Sequence, residues 1–355
     1  SNFDKTYKIK FIYIQIIIII SSILEIVSIF SVGPLIQLIN DPDIIFDNTQ
    51  FISIVFNYFN FETYREFLIF TVITIFIILL LSTSILSLTL YYLCMFSVNL
   101  GNIVRAKLFK FFILQPWIYH TNKNTSEYIK KISHVAERIT GQIILPIFVT
   151  NAKLLTGIFI IISLTIYNPT VSLSCFLIFG LSYGLVFKFL RYKLDYLGKS
   201  VETSQSEMYR IMTQAFGGIQ EAIIYGNQKK YFDEFYNRGV KYSVSEGKIQ
   251  FFAQFPRYLL ELIAFGIILL FILLLVYLSK NSSFNETLPI LAIYIFAAYK
   301  LLPIFQSVYV GFVQVRANLY ALDSIQEELT ESRNFFFKDQ ITNKNNIKLT
   351  NEISL

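Results

Sequence analysis

Apolar stretches long enough to cross a lipid bilayer recur six times in this chain, at roughly residues 9–39, 67–104, 139–167, 171–187, 258–279 and 287–315. Each reaches or approaches the ~20 residues a helix needs to span the hydrocarbon. Lipid offers no hydrogen bonds, so every backbone N–H and C=O must be satisfied within the segment and helix is the expected form. Runs such as Ile16 to Ile20 show none of the period-2 alternation of a membrane barrel strand. The composition agrees, with 54% of residues hydrophobic and 15% charged, against roughly 25% charged in soluble domains.

The polar connections alternate in charge, and that alternation orients the chain. Lys5, Lys8 and Lys10 flank the first stretch; the second connection carries seven Lys and Arg from Arg105 to Arg138, and the fourth carries ten from Lys188 to Lys248. The opposite connections hold only Arg65 and Lys280, together with Asp41, Asp43, Asp47 and Glu62. Because Lys and Arg favour the cytoplasmic side, the expectation is an all-α membrane protein of six transmembrane helices with long cytoplasmic helical extensions. It is multi-pass in the cell inner (plasma) membrane, with both termini cytoplasmic. The net charge of +6 sorts by connection rather than forming one basic stripe, so no nucleic-acid partner is expected. Cys94 and Cys175 fall inside apolar stretches and imply no disulfide framework. His120 and His134 lack partner ligands nearby in sequence, so no metal site is expected. The first stretch is too long for a signal peptide and lacks a small-residue cleavage pattern; the start at Ser1 without Met reads as a processed or cloned boundary. No internal repeat is apparent, which weighs against an inverted-repeat secondary transporter.

The two basic connections share a design. Residues 67–104 are uncharged over about 38 residues, ~57 Å as helix against ~30 Å of hydrocarbon, so this helix projects or tilts. It is expected to continue until Gln115-Pro116 breaks it. Pro116-Trp117-Ile118-Tyr119 then opens a short amphipathic turn before a returning helix. In the fourth connection Gly217-Gly218 makes the break, Glu221 to Tyr225 form a short segment, Gly226 ends it, and another helix returns.

Six spans, long first and second inner connections, tips at 115–126 and 219–229, and the run Gly218-Ile219-Gln220-Glu221-Ala222 followed by Tyr225-Gly226 resemble the transmembrane domain of an ABC exporter over roughly residues 5–330. The resemblance implies that the tips are coupling helices seated on nucleotide-binding domains, with Trp117, Tyr119, Glu221, Ile224 and Tyr225 as contact residues. Trp117 and Tyr119 read equally as plain packing residues. It also implies a homodimer whose full-length product binds ATP and Mg2+ and acts as an ATPase. This chain has no phosphate-cradling G-x-x-x-x-G-K-[ST] run, so no catalytic residue and no cofactor site is expected in it. After the sixth span the helix is expected to end near 328–332. Residues 1–330 then form the transmembrane domain, 331–346 a linker, and 347–355, which alternate like a strand, the start of a truncated nucleotide-binding domain.

Ionisable residues at bilayer depth are functional candidates, because facing lipid costs them several kcal/mol. Glu25, Lys153 and Lys300 lie about 20 Å into their stretches by helix rise, and Arg257 with Glu261 lies nearer one end. One reading has Arg257 and Lys300, with Lys153 and Glu25, lining a cavity for an anionic head group. The other has Arg257 pairing with Glu261 four residues on, and Glu25 neutralising Lys153 or Lys300. The stretches around Leu24-Glu25-Ile26 and Gly33-Pro34-Leu35, Phe255-Pro256-Arg257-Tyr258-Leu259, and Ala298-Tyr299-Lys300-Leu301-Leu302-Pro303 are similar to those of bacterial flippases for polyprenyl-pyrophosphate-linked oligosaccharides. That resemblance implies pyrophosphate contacts from Arg257 and Lys300. Where such flippases carry a further basic residue in the second span this chain has none, and Lys153 is the candidate to compensate. Residues 44–61 are either a short interfacial helix touching lipid tails or an ordinary aromatic belt. An exporter of another lipid, a peptide or a drug, and, from a different class, an ion-coupled secondary transporter using Glu25 and Lys153, are the alternatives.

Overall fold

The computed structural model describes residues 5–40, 42, 51–59, 61–121, 125–167, 169–278 and 284–342. The elements are helices throughout: α1 (Lys5–Phe30), α2 (Val32–Asn40), α3 (Phe51–Tyr58), α4 (Tyr64–Ile113), α5 (Trp117–Thr121), α6 (Thr125–Lys130), α7 (Ala136–Ile139), α8 (Leu145–Tyr167), α9 (Pro169–Gly217), α10 (Ile219–Ile224), α11 (Gln228–Leu278) and α12 (Phe284–Thr342). Two π-helical turns, Lys131–Val135 and Thr140–Ile144, flank α7. Among the described residues four stretches are long and apolar enough to cross a membrane: Tyr7–Asn40, Tyr64–Ile113, Glu127–Tyr167 and Ile295–Glu331. The expected fourth and fifth spans fall within α9 and α11, where the backbone is helical and most side chains lie outside those described.

Several boundaries follow from local chemistry. The first apolar stretch is two helices rather than one, because Pro34 cannot donate to the carbonyl of Phe30 and its ring crowds that position. Pro169, which the sequence suggests as a breaker, sits at the first position of α9, where a missing N–H costs nothing. The last helix runs on to Thr342, so residues 331–342 of the expected linker are helical; residues 347–355 lie outside those described.

Cα packing divides the chain into two units. The apolar unit comprises the described parts of Ser1–Phe96, Leu145–Tyr192 and Gln250–Gln314. Within it α1 presents Ile14, Ile18, Ser21, Ser22, Glu25, Ser28 and Ile29 on one buried stripe at the three-to-four spacing of a helix face. That stripe meets α8, whose buried face is built from small and polar residues (Thr150, Ala152, Thr156, Gly157) followed by Ile160 and Leu164. Small residues allow close backbone approach in the absence of a hydrophobic drive between helices. The Ser22 and Thr156 hydroxyls hydrogen-bond at 2.9 Å, and Asn151 Nδ2 donates to Gln15 Oε1 at 3.3 Å. Separately, α3 turns Val55 and Phe56 onto Leu38 and Phe67, while Ile54, Tyr58 and Phe59 remain exposed.

The polar unit comprises the described parts of Ser97–Ile144, Lys193–Ile249 and Val315–Leu355. Its core joins the end of α4 (Leu108, Phe111, Phe112), the α6–α7 segment (Tyr128, Val135, Ala136, Ile139) and α12 (Ala321, Ile325). The α9 helix passes close against α12, and a Cβ built on Gly198 would lie 2.2 Å from the carbonyl oxygen of Ala317. Nothing lies within 4 Å of a Cβ on Gly247 in α11. Gly198→Ala is therefore expected to cost ~1–3 kcal/mol through overpacking against backbone. Gly247→Ala is expected to be neutral or to stabilise by up to ~1 kcal/mol through helix propensity. Thermal unfolding in detergent, followed by circular dichroism, checks the opposite signs.

Candidate functional site

The two tips are built by different stop signals. At the first, α4 ends at Ile113, Pro116 breaks the ladder, and the Tyr119 N–H donates to the Pro116 carbonyl at 2.9 Å to start α5. At the second, Gly226 adopts φ +67°, a left-handed conformation that glycine takes without strain. The N–H of Asn227 donates to the Ala222 carbonyl and that of Gly226 to the Ile223 carbonyl, closing α10 with a Schellman motif. Gly218 precedes α10 and lies under the Glu221 carboxylate, where a Cβ would come within 2.6 Å of Oε2.

The tips then sort their residues by face. Trp117 is 80% exposed, and Ile118, Ile223, Ile224 and Tyr225 are likewise exposed. Tyr119 turns the other way and packs on Phe111 and Tyr128. Ile118 and Ile223 are additions to the residues singled out from sequence; the only signal for them was their place beside Trp117 and Ile224. Each tip thus offers bare apolar side chains, an arrangement suited to seating on another protein surface.

Behind the tips a set of ion pairs joins the helices, the most buried of them centred on Glu202. Glu202 of α9 accepts from Lys130 Nζ at 2.7 Å and from Arg138 Nη1 at 3.0 Å. Lys130 also donates to Ser206, and Arg138 Nε donates to Asn318 Oδ1 of α12 at 2.6 Å. Lys131 bonds Glu328 of α12 at 2.6 Å, and Arg316 of α12 bonds Asp195 of α9 at 2.6 Å. The π turn makes this network possible. Eight residues of α-helix would carry Arg138 about 80° past Lys130 at 3.6 residues per turn. A π turn takes roughly one residue more per turn, so eight residues close about two turns and both cations face Glu202.

Within the apolar unit the candidate charges occupy three distinct environments. Arg257 and Glu261 pair along α11 at 2.7 Å with side chains 52% and 37% exposed. Lys153 is half-buried on α8 and forms no ion pair among the described residues. Lys300 of α12 approaches Glu25 of α1 at 3.6 Å, with side chains 14% and 5% exposed, and lies 5.9 Å over the ring of Phe296. Ile29, Ile160, Ile293, Ala297 and Ile304 form the surrounding core. Glu25 Oε2 is buried without a hydrogen-bond partner, and the Ser28 hydroxyl one turn on donates to the Glu25 backbone carbonyl instead of to the carboxylate. No group of three or more His, Cys, Asp or Glu able to hold a metal occurs among the described residues.

Long apolar helices, two tipped hairpins and a charge pair sunk in an apolar core define a multi-pass α-helical transport domain. The family model for the ABC transporter transmembrane region matches residues 11–299, and the chain belongs to that family, as the membrane domain of an ABC exporter. Such a domain works with nucleotide-binding domains among membrane lipids. No curated protein matches the chain in sequence.

Removing Glu202 leaves two buried cations without a counter-charge, so Glu202→Ala is expected to destabilise by ~3–5 kcal/mol. Replacing the set together (Lys130→Met, Arg138→Met, Glu202→Leu) is expected to recover most of that loss. Thermal unfolding of the two variants beside the parent chain checks it.

Proposed function

We propose that this domain moves an anionic, amphipathic lipid across the inner membrane, with polyprenyl-pyrophosphate-linked oligosaccharide as the cargo chemistry that fits best. It does so as one half of a homodimer with cytoplasmic termini, driven by ATP and Mg2+ on the nucleotide-binding domains. The observation that carries the reading is Lys300, an ammonium in an apolar surround whose one ion pair among the described residues is at 3.6 Å. A phosphate oxyanion offers such an ammonium a stronger charge-assisted contact than that separation provides. Arg257, exposed and able to present a bidentate fork, is suited to the second phosphoryl group, and Lys153, with no ion pair among the described residues, supplies further positive potential. The bare apolar tips support docking on nucleotide-binding domains. Helices α4, α9, α11 and α12 each contribute to both units and would carry the motion of closure between tips and cargo site. The chain has no G-x-x-x-x-G-K-[ST] run, so ATP belongs on the associated domains and this domain supplies cargo binding and transmission.

ATP hydrolysis by the full-length gene product in nanodiscs, titrated with polyprenyl-pyrophosphate oligosaccharide, tests the reading. Stimulation is expected, with the half-maximal concentration rising about 10- to 100-fold in Lys300→Ala, the value of one charge-assisted contact. Trp117→Ala combined with Ile224→Ala is expected to leave lipid binding intact and abolish stimulation. Hydrolysis indifferent to the lipid removes the proposed cargo.

A further inference from the structure

Glu25 is a buried carboxylate provided for on one side only. One oxygen has Lys300 at 3.6 Å, the other has no hydrogen-bond partner among the described residues, and the residue is 4% exposed. Leaving a buried carboxylate without its counter-charge is costly. Among the described residues the charged groups near it are few. On α12 the cation is Lys300. On α8 the single acidic or basic residue is Lys153, which falls between the Gln15–Asn151 and Ser22–Thr156 rungs, about 9 Å of helix rise from the level of Glu25. The α2 helix carries no charge, and α4 has no Asp, Glu, Lys, Arg or His from Phe67 through Val104.

We propose that Glu25 is a proton-exchanging stand-in for the cargo: it holds Lys300 while the site is empty, and takes up one proton when a phosphate-bearing lipid captures Lys300. This rests on the anionic-lipid reading above and adds the regulation of that site. The charges balance. In the empty site the carboxylate and ammonium cancel. On binding, a phosphate oxyanion pairs with the ammonium, and the carboxylate, left beside a new negative charge, accepts a proton from the buffer acid to become a neutral acid. The second oxygen of Glu25, unpartnered in the ionised state, can carry that proton. The direction follows from linkage. Uptake of a proton on binding means that affinity rises as pH falls, by up to about tenfold per pH unit for one proton.

Binding of farnesyl pyrophosphate to the nucleotide-free, full-length product in nanodiscs provides the test, by calorimetry in two buffers of different ionisation enthalpy. The parent protein is expected to take up close to one proton more than Glu25→Gln, the ligand's own protons cancelling between them. Glu25→Gln is expected to bind about tenfold or more tightly, because Lys300 no longer has a competing anion. An infrared difference spectrum of the parent protein provides a readout independent of the variant's folding. The ligand has no carboxyl group, so a protonated-carboxyl C=O band that appears on binding reports a protein acid. Binding with equal proton uptake in both proteins, or with no such band, overturns the role of Glu25 and leaves the anionic-lipid reading intact. Absent binding, or binding unaffected by Lys300→Ala, overturns both.

Discussion

A charge taken out of water must be neutralised where it lies, and both units of this protein are organised by that requirement. In the polar unit Glu202 meets it in full: two cations at 2.7 and 3.0 Å, each with further partners, tie three helical segments together. Such a cluster adds little net stability over an apolar core of the same volume, but losing any member is costly, so it fixes one arrangement of the helices. In the apolar unit the requirement is met narrowly, by one 3.6 Å pairing and a carboxylate oxygen without a partner. The first arrangement is suited to rigidity and the second to exchange.

The same contrast gives the tips their logic. A short helix between two long ones can present outward-facing apolar residues only if the segments behind it hold firm. Phe111, Phe112 and Tyr128 pack there with ring centroids 4.6 Å apart for the closest pair, while Trp117 and Ile224 remain bare. Tyr119 packs on Phe111 and Tyr128 and supports the first tip. Under the proposed reading, a firm base beneath a bare apolar tip is what a push from a nucleotide-binding domain requires.

Much of this was legible in the residues. Apolar length gave the helices, Gln115-Pro116 and Gly217-Gly218 gave the breaks, and the family layout follows from their spacing. The pairing options for Arg257 and Glu261 were visible because i and i+4 share a helix face. The choice of Lys300 over Lys153 as partner of Glu25 was not, since it depends on the rotation of α8 and α12 against α1. The π turns escaped sequence reasoning as well: Lys131–Val135 has the composition of ordinary helix, and its extra residue is stabilised by distant Glu202 rather than by its neighbours. The continuation of α12 to Thr342 is hidden in the sequence because Thr330, Glu331, Ser332, Arg333 and Asn334 read as the start of a polar linker. The break at Phe30 was readable from Pro34 and was masked by the unbroken apolarity around it.

The central claim is that charge selects the cargo. ATP-dependent movement of a fluorescent polyprenyl-pyrophosphate lipid, compared with its uncharged polyprenol analogue in proteoliposomes of the full-length product, measures it directly. The account predicts movement of the pyrophosphate lipid, weakened in Lys300→Ala at sub-saturating lipid, with the neutral analogue left in place. Equal movement of both lipids would contradict it.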